Sequence, residues 1–187
     1  MNPMNKTYPL IAVSRLRMEI DGEGVTTLIA GSGCPLSCEY CINKEILKKS
    51  PGQVTAQELY DKVKIDDLYF QATGGGVTFG GGEALLHAEF IREFRTLCHD
   101  RWRIYAETSL NVPGGNVRIA ASCIDGFIVD IKDMNPEIYR AYTGKSNGQV
   151  LENLRLLIDL VGQGAMYCPN KLFPSMSAME SSSLTIS

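Results

Sequence analysis

Apolar positions along this chain switch repeatedly between a period of two and a period near 3.6. Leu10 to Met18 alternate loosely, and Val25 to Ala30 form a short β-branched run that predicts a strand leading into a cysteine-rich loop. Thr55 to Glu58 is a T-x-x-E capping box, with Leu59, Val63 and Tyr69 behind it as the apolar positions of a helix. Val77 to Phe79 reads as a strand between two glycine triplets, after which Leu86, Phe90, Phe94 and Leu97 recur at helical spacing until His99 and Asp100. Ile104 to Thr108 is a third strand, Val117 to Ala121 a short helical stretch, and Phe127 to Ile131 a fourth strand. Asn135 and Pro136 suit the N-cap and first position of a helix, and Leu151, Leu154, Ile158 and Val161 mark another before Gly162 and Gly164. About four strand–helix units predict an α/β fold, a parallel sheet with helices outside, either open and doubly wound or part of a β/α barrel. One domain over residues 1–164 follows, and residues 165–187, rich in Ser and Met, read as an irregular tail.

Composition narrows the function classes. The 187 residues carry a net charge of −3 and a pI near 5.4, without the clustered Lys and Arg that grip phosphate, so nucleic acid is an unsuitable partner. No charged start runs into an apolar segment, and no apolar run approaches the roughly 20 residues that cross a bilayer, which predicts a cytoplasmic protein without a membrane partner. In such a chain six cysteines point to ligands, reactive groups or buried small hydrophobes rather than to a disulfide framework.

Their spacing is informative. GCPLSCEYC places Cys34, Cys38 and Cys41 as C-x3-C-x2-C on a loop directly after a predicted strand. Clustered thiolates select iron–sulfur clusters, Zn or Cu(I), and a closed site ordinarily takes four protein ligands. Three ligands leave one position open for chemistry. The competing readings are a structural Zn site completed by Cys98, Cys123, Cys168 or a His, and three unligated thiols. Cys98, Cys123 and Cys168 lack ligand spacing, and His87 and His99 have no neighbouring nucleophile, so a hydrolase has no supporting constellation.

With Tyr40 before the last cysteine, C-x3-C-x-Y-C resembles the signature of radical S-adenosylmethionine enzymes, and the chain is similar to their glycyl-radical-enzyme activating group, the pyruvate formate-lyase activating type. DGEGVTT from Asp21 resembles the group's DGPG motif with Glu23 for Pro, GGGVTFGGGEALL from Gly74 its GGVT-x-SGGE segment, and VDIKD from Val129 its D-x-K strand. YTGKSN and VLENL extend the likeness, which covers roughly residues 10 to 162. The anaerobic ribonucleotide reductase activating enzymes are the nearest rival group, and GGGVTFGGGE and YTGKSN fit the formate-lyase type better.

The resemblance implies a partial (β/α) barrel, a 4Fe-4S cluster on Cys34, Cys38 and Cys41, and S-adenosylmethionine chelated to the free iron. It implies that Gly81, Gly82 and Glu83 meet the cofactor's amino group, that Asp130 and Lys132 reach its nucleoside and carboxylate, and that Tyr40, Cys41 and Ile42 border it. Glu107-Thr108 closes the third strand where the family usually has Asp-Thr, and the resemblance makes Glu107 a candidate to position the cofactor or a cation beside Asp130, the alternative being an exposed loop carboxylate. Cleavage of the cofactor would give a 5′-deoxyadenosyl radical that takes hydrogen from a glycine of a partner enzyme, with the electron supplied by a donor such as flavodoxin or ferredoxin. Only about forty residues separate Cys41 from Gly81, so the long cluster domain some activating enzymes carry there is expected to be absent. The family's last strands are also expected to be missing, and the alternative is a truncated, non-catalytic fragment that binds a cluster or a partner.

Overall fold

The computed structural model of the chain describes residues 6–18, 20–162 and 171–174. Among the described residues a seven-stranded sheet has the order β3-β1-β2-β4-β5-β6-β7. Strands β1 (Thr7–Met18), β2 (Val25–Gly31) and β3 (Gly52–Thr55) form an antiparallel margin, and β4 (Gly76–Gly81), β5 (Arg103–Thr108), β6 (Gly126–Val129) and β7 (Lys171–Pro174) continue from β2 in parallel. Helices fill the connections: α1 (Lys44–Leu47), α2 (Ala56–Val63), α3 (Asp67–Thr73), α4 (Ala88–Cys98), α5 (Gly114–Ala121), α6 (Pro136–Thr143) and α7 (Gly148–Gly162).

The alternation of side chains along the strands separates two faces. Ile29, Val77, Phe79, Ile104, Ala106, Phe127 and Val129 are fully buried and make the helix-covered core. Phe79 meets Phe94 edge-on with ring centroids 5.5 Å apart, and Tyr8 stacks on Phe90 at 5.1 Å. Truncating such a phenylalanine to alanine costs about 3–5 kcal/mol. The other face carries Leu28, Ala30, Thr78, Gly80, Tyr105, Glu107 and Ile128, paired across the ladders as Leu28–Thr78, Ala30–Gly80, Thr78–Tyr105 and Glu107–Ile128. Thr78 and Tyr105 are covered on this face by the Asp21–Gly22 segment, and toward the carboxyl ends Glu107 and Ile128 line a cavity.

Local signals explain the helix boundaries. Thr55 and Glu58 form a reciprocal capping box, with Thr55 N–H donating to Glu58 Oε2 at 2.8 Å and Glu58 N–H to Thr55 Oγ1 at 3.2 Å. The expected helix through Tyr69 is broken: a 3-10 turn at Lys64–Asp66 separates α2 from α3, because Asp66 turns inward to accept from Thr27 Oγ1 at 2.8 Å and to pair with Arg15 at 3.1 Å. Asn135 caps α6 by accepting from Glu137 and Ile138 N–H, Pro136 opens it, and Gly144 closes it at φ +75°.

The strand expected over Phe127–Ile131 ends at Val129, so Asp130 and Lys132 lie in the loop beyond it, not on one face of a strand. The parallel order also extends one strand further than four units. β7 pairs with β6 from Lys171 to Pro174, inside the segment read from the sequence as an irregular tail. Cys168 and most of that tail lie outside the described residues.

Candidate active site

The site lies at the carboxyl ends of the parallel strands, where β/α folds collect functional groups. After β2 the chain turns at Gly33, φ +92°, into the cysteine loop. Two backbone bonds pin that loop to the end of α6: Ser37 N–H donates to Thr143 O at 3.0 Å and Glu39 N–H to Tyr142 O at 3.1 Å. Tyr40 stacks on Tyr142 with centroids 6.0 Å apart. The YTGKSN segment thus supports the cysteine motif, more than a hundred residues away in sequence.

After β4 the Gly81–Gly82–Glu83 turn lies against the start of the same loop. Gly82 N–H donates to Gly31 O at 3.0 Å and Glu83 N–H to Gly33 O at 2.8 Å. A Cβ at Gly82 would stand 2.2 Å from Gly33 O, so this close approach of two backbones requires glycine. Asn43 Nδ2 donates to Gly81 O at 2.9 Å and closes the loop over the turn.

One cavity of about 350 Å³ is lined by Cys34, Cys38 and Cys41, by Tyr40, Ile42 and Asn43, by Gly81, Gly82 and Glu83, and by Glu107, Thr108, Asp130 and Lys132. Every residue singled out from the motifs as a site residue is on this wall. Lys132 and Asp130 form an ion pair. Burial pulls the Lys132 ammonium down, but its hydrogen bond to Asp130 and the charges around it leave it above its ordinary value. Tyr40 and Ile42 stand at the mouth, 77% and 96% exposed.

The Glu83 carboxylate is held by the protein itself. The motif suggests that its carboxylate faces the cofactor's ammonium, yet the side chain is 2% exposed and its oxygens are occupied by protein donors. Oε1 accepts from Thr108 Oγ1 at 2.6 Å and Leu85 N–H at 3.1 Å; Oε2 accepts from Ser109 Oγ at 2.7 Å and Ser109 N–H at 2.9 Å. Four donors satisfy a carboxylate. Glu83 therefore ties the end of β4 to the end of β5, and it lines the cavity beside the Gly81–Gly82 backbone. Asn43 and Ser109 escaped the sequence reading; the one signal for each is its place directly after a motif.

The three thiols fit a multi-iron cluster better than a closed zinc site. Among the described residues no three His, Cys, Asp or Glu side chains converge tightly enough for a single metal ion. A tetrahedral Zn gathers its thiolates about one centre at roughly 2.3 Å, whereas a cluster distributes them over separate irons. Of the candidate fourth ligands for zinc, Cys98 and Cys123 are buried in the hydrophobic core and His87 bonds to Ser32 O at 3.3 Å, while Cys168 lies outside the described residues. Burial raises the Cys34 thiol against the opposing Leu36 N–H, and raises Cys38 against the opposing charge of Lys132, so metal binding there displaces protons.

The family model of the radical SAM superfamily matches residues 28–167. This chain belongs to that superfamily, whose cofactors are a 4Fe-4S cluster and S-adenosylmethionine. Within it, the chain is 35% identical over 127 residues to the pyruvate formate-lyase-activating enzyme of Clostridium pasteurianum, covering 67% of this chain and 53% of the relative. It is 34% identical over 146 residues to the pyruvate formate-lyase 1-activating enzyme of Escherichia coli K12, covering 74% and 58%. The (2S)-3-sulfopropanediol dehydratase activating enzyme of Klebsiella oxytoca is 29% identical over 215 aligned positions, covering 81% and 68%. That alignment is longer than the 187 residues of this chain, so the relative has residues without a counterpart here. The chain spans between about half and two thirds of the length of these curated relatives. Among solved structures the fold is similar to QueE from Escherichia coli, with a TM-score of 0.53 at 16% identity over 90% of this chain and 83% of that one. It is also similar to SuiB from Streptococcus suis, with a TM-score of 0.57 at 14% identity over 79% and 31%. No helix of the described residues is long and apolar enough to cross a membrane.

Proposed function

We propose that this chain is a glycyl-radical-enzyme activating enzyme of the pyruvate formate-lyase type. One observation carries the reading: four segments far apart in sequence, the cysteine loop, the Gly81–Glu83 turn, the end of β5 and the Asp130–Lys132 pair, line a single cavity at the carboxyl ends of the strands. The activating-enzyme relatives support the same reading.

Cys34, Cys38 and Cys41 supply three thiolates and leave the cavity side of the site open. The backbone carbonyls of Gly81 and Gly82 are the acceptors for an ammonium group, held in place by Glu83 and Asn43. Lys132 offers a cation to a carboxylate, and Asp130 acceptors to a nucleoside, with their ion pair fixing both side chains. Tyr40 and Ile42 border the opening through which a glycine-bearing segment of a partner enzyme would enter. When bound, the reduced cluster and S-adenosylmethionine supply the hard step, reductive cleavage to methionine and a 5′-deoxyadenosyl radical. The work of this chain is positioning the reacting atoms and keeping water from them. An electron donor of the flavodoxin or ferredoxin class and a cytoplasmic, oxygen-free setting belong to the proposal.

The test is anaerobic cluster reconstitution, addition of reductant and S-adenosylmethionine, and chromatography for 5′-deoxyadenosine, with Cys38→Ala as control. Product that disappears in the control supports the proposal. A loaded cluster without product overturns it in favour of a non-catalytic cluster-binding chain.

A further inference from the structure

Two positions on the cavity face of the sheet hold residues whose sizes depend on each other. Gly80 on β4 and Glu107 on β5 each follow the paired residues Phe79 and Ala106. A Cβ built at Gly80 would lie 2.2 Å from Glu107 Oε2, 3.0 Å from its carboxyl carbon and 3.1 Å from Leu28 Cδ1. The Glu107 carboxylate therefore occupies the room that any side chain at position 80 would need. Both positions also differ from the motifs the chain resembles, which have Ser and Asp there.

The three acids on the cavity wall are satisfied unequally. Glu83 accepts from four donors and Asp130 is paired with Lys132. At Glu107 the Gly81 N–H is the backbone donor, and Arg17, Asp21 and Asp130 are near enough for their charges to act on it. Burial and those two acids raise its carboxyl above the ordinary range, while Arg17 and the Gly81 N–H oppose them. Arg17 is itself ion-paired with the buried Asp21. Glu107, like Asp130, keeps acceptor capacity on this wall, and a ligand carrying a positive sulfonium group is what such a wall would hold.

We propose that Gly80 and Glu107 are a matched pair, in which the missing side chain at 80 seats the longer acid at 107, and that Glu107 in that seat positions the cationic cofactor. The second half rests on the cofactor reading above; the first half does not. Glu107 is a positioning residue for binding, and Gly80 acts through it.

The test combines the melting of the cofactor-free chain with S-adenosylmethionine calorimetry on cluster-loaded protein, both anaerobic. The variants are Gly80→Ala, Glu107→Asp, the double variant and Glu107→Gln. The atom that collides with a Cβ at 80 is the end of a flexible side chain, so Gly80→Ala folds and melts about 2–4 °C lower. Its affinity for S-adenosylmethionine falls about tenfold, the scale of one charge-assisted hydrogen bond. In the Glu107→Asp background, where the space is vacant, Gly80→Ala no longer lowers the melting temperature, and the double variant recovers affinity to within about threefold of wild type. Glu107→Gln loses about tenfold in affinity without melting lower. Equal effects of Gly80→Ala in both backgrounds overturn the matched pair. Wild-type affinity in Glu107→Gln overturns the positioning role. A wild type that binds no S-adenosylmethionine overturns that role together with the cofactor reading, and the melting cycle still decides the pair by itself.

Discussion

Replacing Glu83 by Gln removes a charge and substitutes an amide donor for one carboxylate oxygen without changing the side chain's length. Whichever oxygen is replaced, one backbone N–H loses its acceptor: Leu85 N–H if the amide sits at the Oε1 position, Ser109 N–H if it sits at Oε2. The hydroxyl sharing that position, Thr108 or Ser109, can rotate to accept from the new amide, so the net change is one buried donor left facing another donor. Such a loss costs about 1.5–3 kcal/mol, which in a chain of this size lowers the melting temperature by roughly 3–12 °C. Circular dichroism melting of the metal-free chain measures this directly, since no cofactor is involved. A melting temperature within about 1 °C of wild type would refute the reasoning. It would return the Glu83 carboxylate to the role the motif suggests, an acceptor for the cofactor's ammonium.

Further substitutions probe other parts of the frame. Gly82→Ala puts a Cβ against the Gly33 carbonyl, which is backbone and cannot swing away; reconstituted iron per chain should fall by more than half, as roughly one misplaced ångström suffices to spoil a site, and unchanged iron content would contradict the close approach. Asn43→Ala frees the Gly81 carbonyl from its side-chain donor and should weaken S-adenosylmethionine binding by about threefold to tenfold in calorimetry while leaving the melting temperature within about 2 °C. The Glu58 carboxylate is held below the ordinary range by Thr55 N–H and then by the Thr55 hydroxyl. A depressed pKa contributes stability above the unfolded value, near 4.3, and loses it as pH falls through the folded value. Glu58→Gln should therefore melt below wild type at neutral pH, with the gap closing under acid; a gap independent of pH would contradict the capping box.

Much of this architecture is legible in local sequence because local interactions produce it. The Thr55–Glu58 box, the Asn135–Pro136 start and the apolar stripe of α4 all act within one or two turns. Four-residue edge strand β3 (GQVT) has too few residues for a pattern, and it forms because β1 offers a free edge. The break between α2 and α3 depends on Asp66 meeting Arg15 and Thr27, partners about forty to fifty residues away. Thr27 and Asp66 show nothing of this in isolation. In the site, motif chemistry marks the wall of the cavity, but the saturation of Glu83 depends on Thr108 and Ser109 arriving from the next strand. The matched sizes of Gly80 and Glu107 are likewise a contact between strands, visible in sequence as two separate departures from a motif.

The most direct measurement is a Mössbauer spectrum of the chain reconstituted anaerobically with 57Fe, taken before and after S-adenosylmethionine is added. Three cysteine ligands to a cubane cluster predict that about one iron in four changes its parameters on cofactor binding and the rest do not. Four irons that respond alike, or a chain that takes up zinc in preference to iron and sulfide, would contradict an open cluster held by Cys34, Cys38 and Cys41.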